Sequence, residues 1–151
     1  MYIIRKEYKV EYAHQLQAAY SKCCSDSIHG HSGKIEVYFT SDELDENGMV
    51  IDFGEISGII KEFIMSTLDH ALVMPKSMDS AYIKCLQKNN KNVLITDDNP
   101  TAEHFAESLY WDICQLIQPI IDKRDNKFKL LKVRFHETDT GYAEYLPVKG
   151  I

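Results

Sequence analysis

The sequence predicts an α+β fold: two long helices on one face of an antiparallel four-stranded sheet, in the order ββααββ. Three observations carry this expectation. Apolar and charged residues alternate through residues 2–14, 29–39 and 131–136. Apolar residues recur at helical spacing over 56–64 and 105–120. The alternating blocks flank the helical ones, so strands precede and follow the helices.

In the first strand Tyr2, Ile4, Tyr8, Val10, Tyr12 and His14 share one parity, with Arg5, Glu7, Lys9 and Glu11 on the other. Residues 15–28 are polar and irregular and carry Lys22, Cys23 and Cys24. The second strand starts near His29, with Ile35, Val37 and Phe39 in parity with His29 and His31. An acidic turn from Ser41 to Gly48 leads to a short return strand, Met49-Val50-Ile51. Asp52 is placed to cap the first long helix, with Glu55 reaching back as in a capping box. Ile56, Ile59, Ile60, Phe63 and Ile64 form its apolar face, and it ends near Leu68-Asp69-His70.

The segment from Pro75 to Asn99 is less regular, with an amphipathic piece around Tyr82, Cys85 and Leu86 and a brief strand at Val93-Leu94-Ile95. Asn99 as cap and Pro100 as first helical residue start the second long helix. Its stripe is Phe105, Leu109, Ile113, Leu116 and Ile120, and Pro119 is expected to end or kink it. Leu131, Val133 and Phe135 face inward from the next strand, and a turn at Asp139-Thr140-Gly141 leads to the last, Tyr142 to Leu146.

Residues two apart in a strand point to the same face, about 6.5–7 Å apart along it. His29 and His31 therefore present two imidazoles from one side of one strand. If the first two strands pair as an antiparallel hairpin, His14 joins them. Three neutral imidazoles with an open fourth position suit a catalytic Zn²⁺. The competing readings are solvated loop histidines, or a cysteine closing the sphere as a structural site. A thiol near a cation ionises more readily and becomes a usable base, which singles out Cys23 and Cys24. Asp69-His70 could serve acid–base chemistry, or the histidine could simply answer the helix dipole. Glu137 continues the inward parity of its strand. There its carboxylate needs a partner, such as the adjacent N–H groups of a flat heterocycle; a frayed strand end would put it in water instead.

At 151 residues the chain reads as one domain, 1–151. A net charge of −6 argues against nucleic-acid binding, and no apolar run approaches the length of a membrane span. The four cysteines form no Cys-x-x-Cys pair, and adjacent Cys23-Cys24 is poorly suited to an ordinary structural disulfide. With no signal-peptide pattern at its start, the chain reads as cytoplasmic and reduced.

Seven motifs in order carry a family resemblance: Tyr12-Ala13-His14, Cys23/Cys24, His29-Gly30-His31, Gly48-Met49-Val50-Ile51-Asp52-Phe53, Leu68-Asp69-His70, Asn99-Pro100-Thr101-Ala102-Glu103 and His136-Glu137-Thr138. Over nearly its whole length the chain resembles the 6-pyruvoyltetrahydropterin synthases and their bacterial relatives, the 6-carboxytetrahydropterin synthases of queuosine biosynthesis. The resemblance implies a tunnelling fold whose units associate into an oligomeric barrel, usually a homohexamer, with sites at subunit interfaces. It implies 7,8-dihydroneopterin triphosphate as substrate and Zn²⁺ held by His14, His29 and His31. It further implies a cysteine base, an Asp69–His70 relay, a pterin anchored by Glu137, and ring positioning by Thr101 and Glu103. The 6-carboxy product is favoured; 6-pyruvoyl formation, aldolase-like side-chain cleavage and a non-catalytic zinc- or pterin-binding module are the alternatives. The chain departs from the family in two places. Three residues separate cysteine from the first histidine in the queuosine enzymes and five in the animal type. Here four follow Cys24 and five follow Cys23, so spacing points to Cys23. The second departure is the length of the 74–99 segment.

Overall fold

The protein, described by a computed structural model over residues 1–125 and 128–147, is built around a long hairpin. Strand β1 (Tyr2–His14) pairs antiparallel with β2 (His29–Ser41) without interruption, from Tyr2 opposite Ser41 to His14 opposite His29. The alternation read from the sequence is the cause: Tyr8, Val10, Tyr12, Ile35, Val37 and Phe39 are all buried on one face. Strand β5 (Lys129–His136) continues the sheet beside β2, and β6 (Tyr142–Tyr145) pairs with β5, both antiparallel.

The sheet is larger than the expected four antiparallel strands. On the far side of β1 lie β3 (Leu72–Pro75) and β4 (Val93–Thr96), each parallel to its neighbour, giving the order β4-β3-β1-β2-β5-β6. The expected strand at Val93-Leu94-Ile95 is therefore present. Its partner β3 escaped notice because Val73 and Met74 are both fully buried, and a strand covered on both faces shows no alternation. Met49-Val50-Ile51 is not a strand; Val50 and Ile51 are buried in the core, which accounts for their apolar character. A bulge displaces Leu131: Phe39 faces Leu130 and Tyr38 faces Lys132, so Leu130 takes the buried position and Leu131 is only half-buried.

Two long helices, α2 (Phe53–Thr67) and α4 (Ala102–Ile121), cover the apolar face. A four-residue turn of helix, α1 (Lys22–Ser25), precedes β2, and α3 (Ser80–Asn89) connects β3 to β4. Ile56, Ile60 and Ile64 of α2 and Phe105, Leu109, Ile113 and Ile117 of α4 join the strand residues in one core. Each such side chain contributes about 1.5–3 kcal/mol on burial. The α4 stripe drifts from the expected Leu116 and Ile120 to Ile117, and the two expected residues are only partly buried.

Asp52 caps α2, its carboxylate accepting from the Gly54 N–H at 2.7 Å. Glu55 completes no capping box; it pairs with Arg124. Thr101, not Asn99, caps α4. Asn99 instead accepts from the Gln17 N–H at 2.9 Å and donates to the Ala18 carbonyl at 3.1 Å, tying the loop after β1 to the start of α4. Pro119 does not end the helix, which continues to Ile121.

The other sheet face is polar. Glu36, buried on β2, meets Arg5, accepts from the Tyr38 hydroxyl at 2.9 Å and lies 3.3 Å from Arg134. Burial pushes its carboxyl pKa up, but the Tyr38 and His136 hydrogen bonds and the Arg5 charge outweigh that and hold it below the usual range. No helix among the described residues is long and apolar enough to cross a membrane.

Candidate metal centre and active site

Full-length pairing of β1 with β2 sets His14 directly opposite His29, and Tyr12 opposite His31. All three imidazoles fall on the core side at one end of the hairpin. One nitrogen from each converges, all within 4.8 Å of one another, and His14 Nε2 lies 3.0 Å from His29 Nε2. The second nitrogens show which atoms are free. His14 Nδ1 donates to the Pro100 carbonyl at 2.8 Å, and His29 Nδ1 to the Ser27 carbonyl at 3.2 Å. With Nδ1 protonated in each, both Nε2 atoms carry lone pairs aimed at a common point. His31 Nε2 is buried without a hydrogen-bond partner among the described residues. Lone pairs this close repel unless a cation lies between them, so the donor set fits a divalent metal with imidazole affinity.

Burial in apolar surroundings pushes the His14 pKa down to about 4, its neighbours His29 and His31 adding to the effect. Burial lowers His31 as well. Both imidazoles are thus neutral at physiological pH, as ligands must be. Those surroundings are aromatic: Tyr12 stacks on His31 at 5.5 Å and meets His14 edge-on at 5.3 Å, while Phe105 lies beneath His14. Gly33 makes room for this packing, since a Cβ there would come within 3.1 Å of the Tyr12 ring and of Val10.

Glu137, just past β5, brings its carboxylate to 3.6 Å from His14 Nε2 and 3.9 Å from His31 Nε2. Cys24 on α1 is half-buried and within electrostatic reach of Glu137; burial first, and the neighbouring Cys23 and Glu137 besides, push its thiol up. Cys23 is exposed. A hydrogen bond from the Ser21 hydroxyl at 2.8 Å, aided by Cys24, pulls its thiol down.

Asp69 and His70 form a hydrogen-bonded pair: Asp69 Oδ2 accepts from His70 Nδ1 at 2.8 Å and Oδ1 from the Glu11 N–H at 2.9 Å. That backbone donor and His70 hold the Asp69 carboxyl below its usual pKa, and burial only partly opposes them. His70 adopts φ +57°, the left-handed region that non-glycine residues seldom occupy and in which Asn, Asp and His are the commonest exceptions. His70 closes the turn that follows α2, and its imidazole is 77% exposed. His70 shares a recess of about 640 Å³ with Glu11, His31, Ser32 and Asn92, but His14 and His29 do not line it. The structure thus gathers His14, His29, His31 and Glu137, leaves Cys24 within electrostatic reach of Glu137, and sets Asp69–His70 apart. Thr101 is engaged in capping α4, and Glu103 is exposed in its first turn.

Two contributors were missed from the sequence. The buried Tyr12 hydroxyl has no hydrogen-bond partner among the described residues; its shared parity with His14 was the available signal. The Pro100 carbonyl orients His14, and a backbone acceptor leaves no mark in residue type.

Comparison with known proteins gives a consistent result. The sequence model of the family described as 6-pyruvoyl tetrahydropterin synthase matches residues 3–147. The chain is 30% identical to the 6-carboxy-5,6,7,8-tetrahydropterin synthase of Haemophilus influenzae, over 96% of this chain and 99% of that one. It is 26% identical to the enzyme of the same name from Bacillus subtilis, over 97% and 86% of the two chains. The fold is similar to that of 6-pyruvoyl tetrahydropterin synthase from Plasmodium vivax, with a TM-score of 0.67 at 15% identity, covering 96% of this chain and 98% of that chain.

Proposed function

The chain belongs to the 6-pyruvoyl tetrahydropterin synthase family, and on that premise we propose that it is a zinc-dependent 6-carboxy-5,6,7,8-tetrahydropterin synthase. In this reading it acts in the cytoplasm on 7,8-dihydroneopterin triphosphate with loss of triphosphate, as part of the route to queuosine. The observation that carries the proposal is the convergence of three imidazole nitrogens beside a carboxylate. The names of the bacterial relatives favour the 6-carboxy product.

His14, His29 and His31 hold the metal, which when bound supplies Lewis acidity at the side-chain oxygens. Cys24 faces the substrate and, as thiolate, removes the proton from the adjacent carbon; Cys23 supports it through the 3.8 Å sulfur contact. Glu137 accepts the forked N–H donors of the pterin edge. Thr101 and Glu103 position the ring. Asp69 keeps His70 oriented for returning a proton. Because this pair stands apart from the imidazole cluster and opens to solvent, it serves the site of a neighbouring subunit, in keeping with a homohexameric barrel whose sites form between copies.

Incubating zinc-loaded protein with 7,8-dihydroneopterin triphosphate and identifying the product by mass tests the reading. A 6-carboxy product is expected. A 6-pyruvoyl product is the second reading, supported by the five residues between Cys23 and His29. Full pterin binding without turnover would remove the enzymatic assignment.

A further inference from the structure

One thiol suffices as a base, yet this chain presents two in succession. Cys23 Sγ and Cys24 Sγ are 3.8 Å apart, and both thiols are free. They sit on α1, a single four-residue turn with no buried residue, between two polar loops. Ser21 stands at the N-cap of this turn, but its hydroxyl makes no capping bond and is spent on Cys23 Sγ. The turn is held mainly by Leu16 N–H to the Cys24 carbonyl at 3.0 Å and by Gln15 Nε2 to the Ser25 carbonyl at 2.8 Å.

We propose that Cys23 and Cys24 form a site of reversible oxidation by hydrogen peroxide, Cys23 being the thiol oxidised first and Cys24 the one that resolves it. The exposed Cys23 thiolate, steadied by the Ser21 O–H, attacks the O–O bond. One S–O bond forms, the O–O bond breaks, and hydroxide leaves and is protonated to water. Cys24, as thiolate, then attacks the sulfenic sulfur. An S–S bond forms, the S–O bond breaks, and a second hydroxide leaves to become water. Two thiols lose two electrons, and the peroxide is reduced to two waters.

Adjacent Cα atoms are about 3.8 Å apart, short of the roughly 4.4–6.8 Å that disulfides ordinarily span. The bridge is therefore strained, easily reduced by small thiols and labile by construction. Forming it removes both thiols from base chemistry until the bridge is reduced. The chemistry does not depend on which pterin reaction the site performs.

The test is limited hydrogen peroxide on the zinc-loaded protein, followed by iodoacetamide, trypsin and mass analysis of the peptide from Cys23 to Lys34. The expected peptide is lighter by two hydrogens and takes up no iodoacetamide. After dithiothreitol it takes up two equivalents, and any pterin synthase activity lost to peroxide returns with them. In Cys24→Ser the same treatment should drive Cys23 on to sulfinic acid. Cross-links from this peptide to those bearing Cys85 or Cys114 would overturn the proposal. So would sulfinic acid alone in the wild type, or two unreacted thiols when a free small thiol is consumed. Because the readout is a peptide mass, failure here is distinct from failure to make a pterin product.

Discussion

Replacing Glu137 with glutamine tests the two roles proposed for its carboxylate. Its oxygen lies 3.6 Å and 3.9 Å from the nitrogens of His14 and His31, and its side chain is 33% exposed. Two unit charges 4 Å apart interact by about 4 kcal/mol at an effective dielectric of 20 and about 1 kcal/mol in water. A one-third exposed carboxylate falls between these limits, so neutralising it lowers zinc affinity by about 1–3 kcal/mol, roughly 5- to 150-fold. The stoichiometry stays at about one zinc per chain, because three imidazoles remain. On the metal-loaded protein, losing a charge-assisted acceptor weakens pterin binding by about 1.5–3 kcal/mol. Zinc affinity is read by chelator competition, and pterin affinity by fluorescence titration of the loaded variant. Unchanged pterin affinity would refute the anchoring role. Unchanged zinc affinity would show that water, not the metal site, sets the environment of the carboxylate.

His29→Ala and His31→Ala should each lose bound zinc and turnover while the far-ultraviolet spectrum stays native. A double variant that retains full zinc occupancy would put the metal elsewhere. Cys24→Ala should lower kcat by about 10²–10⁴-fold, the scale of a general base, and Cys23→Ala by much less; the reverse order would assign the base to Cys23. The metal-free protein should lose stability on acidification in two stages, read by denaturant titrations at successive pH values. The His14 pKa is lowered on folding to about 4 from about 6.5 unfolded, so between those values the unfolded chain binds more protons and stability falls as pH falls. Glu36 and Asp69 have folded pKa values below their usual ones; their contribution is complete above the unfolded carboxylate range and is lost as pH drops through the folded values. A flat profile from pH 7 to 4 would contradict the burial of a neutral His14.

Local periodicity made the central hairpin and both long helices legible. Tyr8, Val10, Tyr12 and His14 had to share a face, and Ile56, Ile60 and Ile64 had to share a stripe. The same parity sets the three histidines at one end once the first two strands pair. What escaped depends on partners distant in sequence. β3 is covered on both sides and carries no alternation. Leu131 loses its inward place to a bulge opposite Tyr38 and Phe39. Asn99 looked like a helix cap because its side chain is suited to one, but the loop at Gln17 and Ala18 claimed it. The contact of Glu137 with His14 joins residues 123 positions apart in the chain, a proximity that motif order alone does not give.

The hairpin that carries His14, His29 and His31 is joined by a long connection, residues 15–28, and not by a tight turn that would dictate how its arms align. Sliding one arm by a single residue turns its whole side-chain set over. His14 would then face the opposite side from His29 and His31, and no three-nitrogen point would exist. A metal captured by all three imidazoles therefore acts as a proofreader of strand alignment during folding. It rewards the one pairing in which His14 meets His29 and gives nothing to its neighbours one step away. Nascent chains supplied with metal should accordingly settle into the native alignment more cleanly than chains folding in chelator.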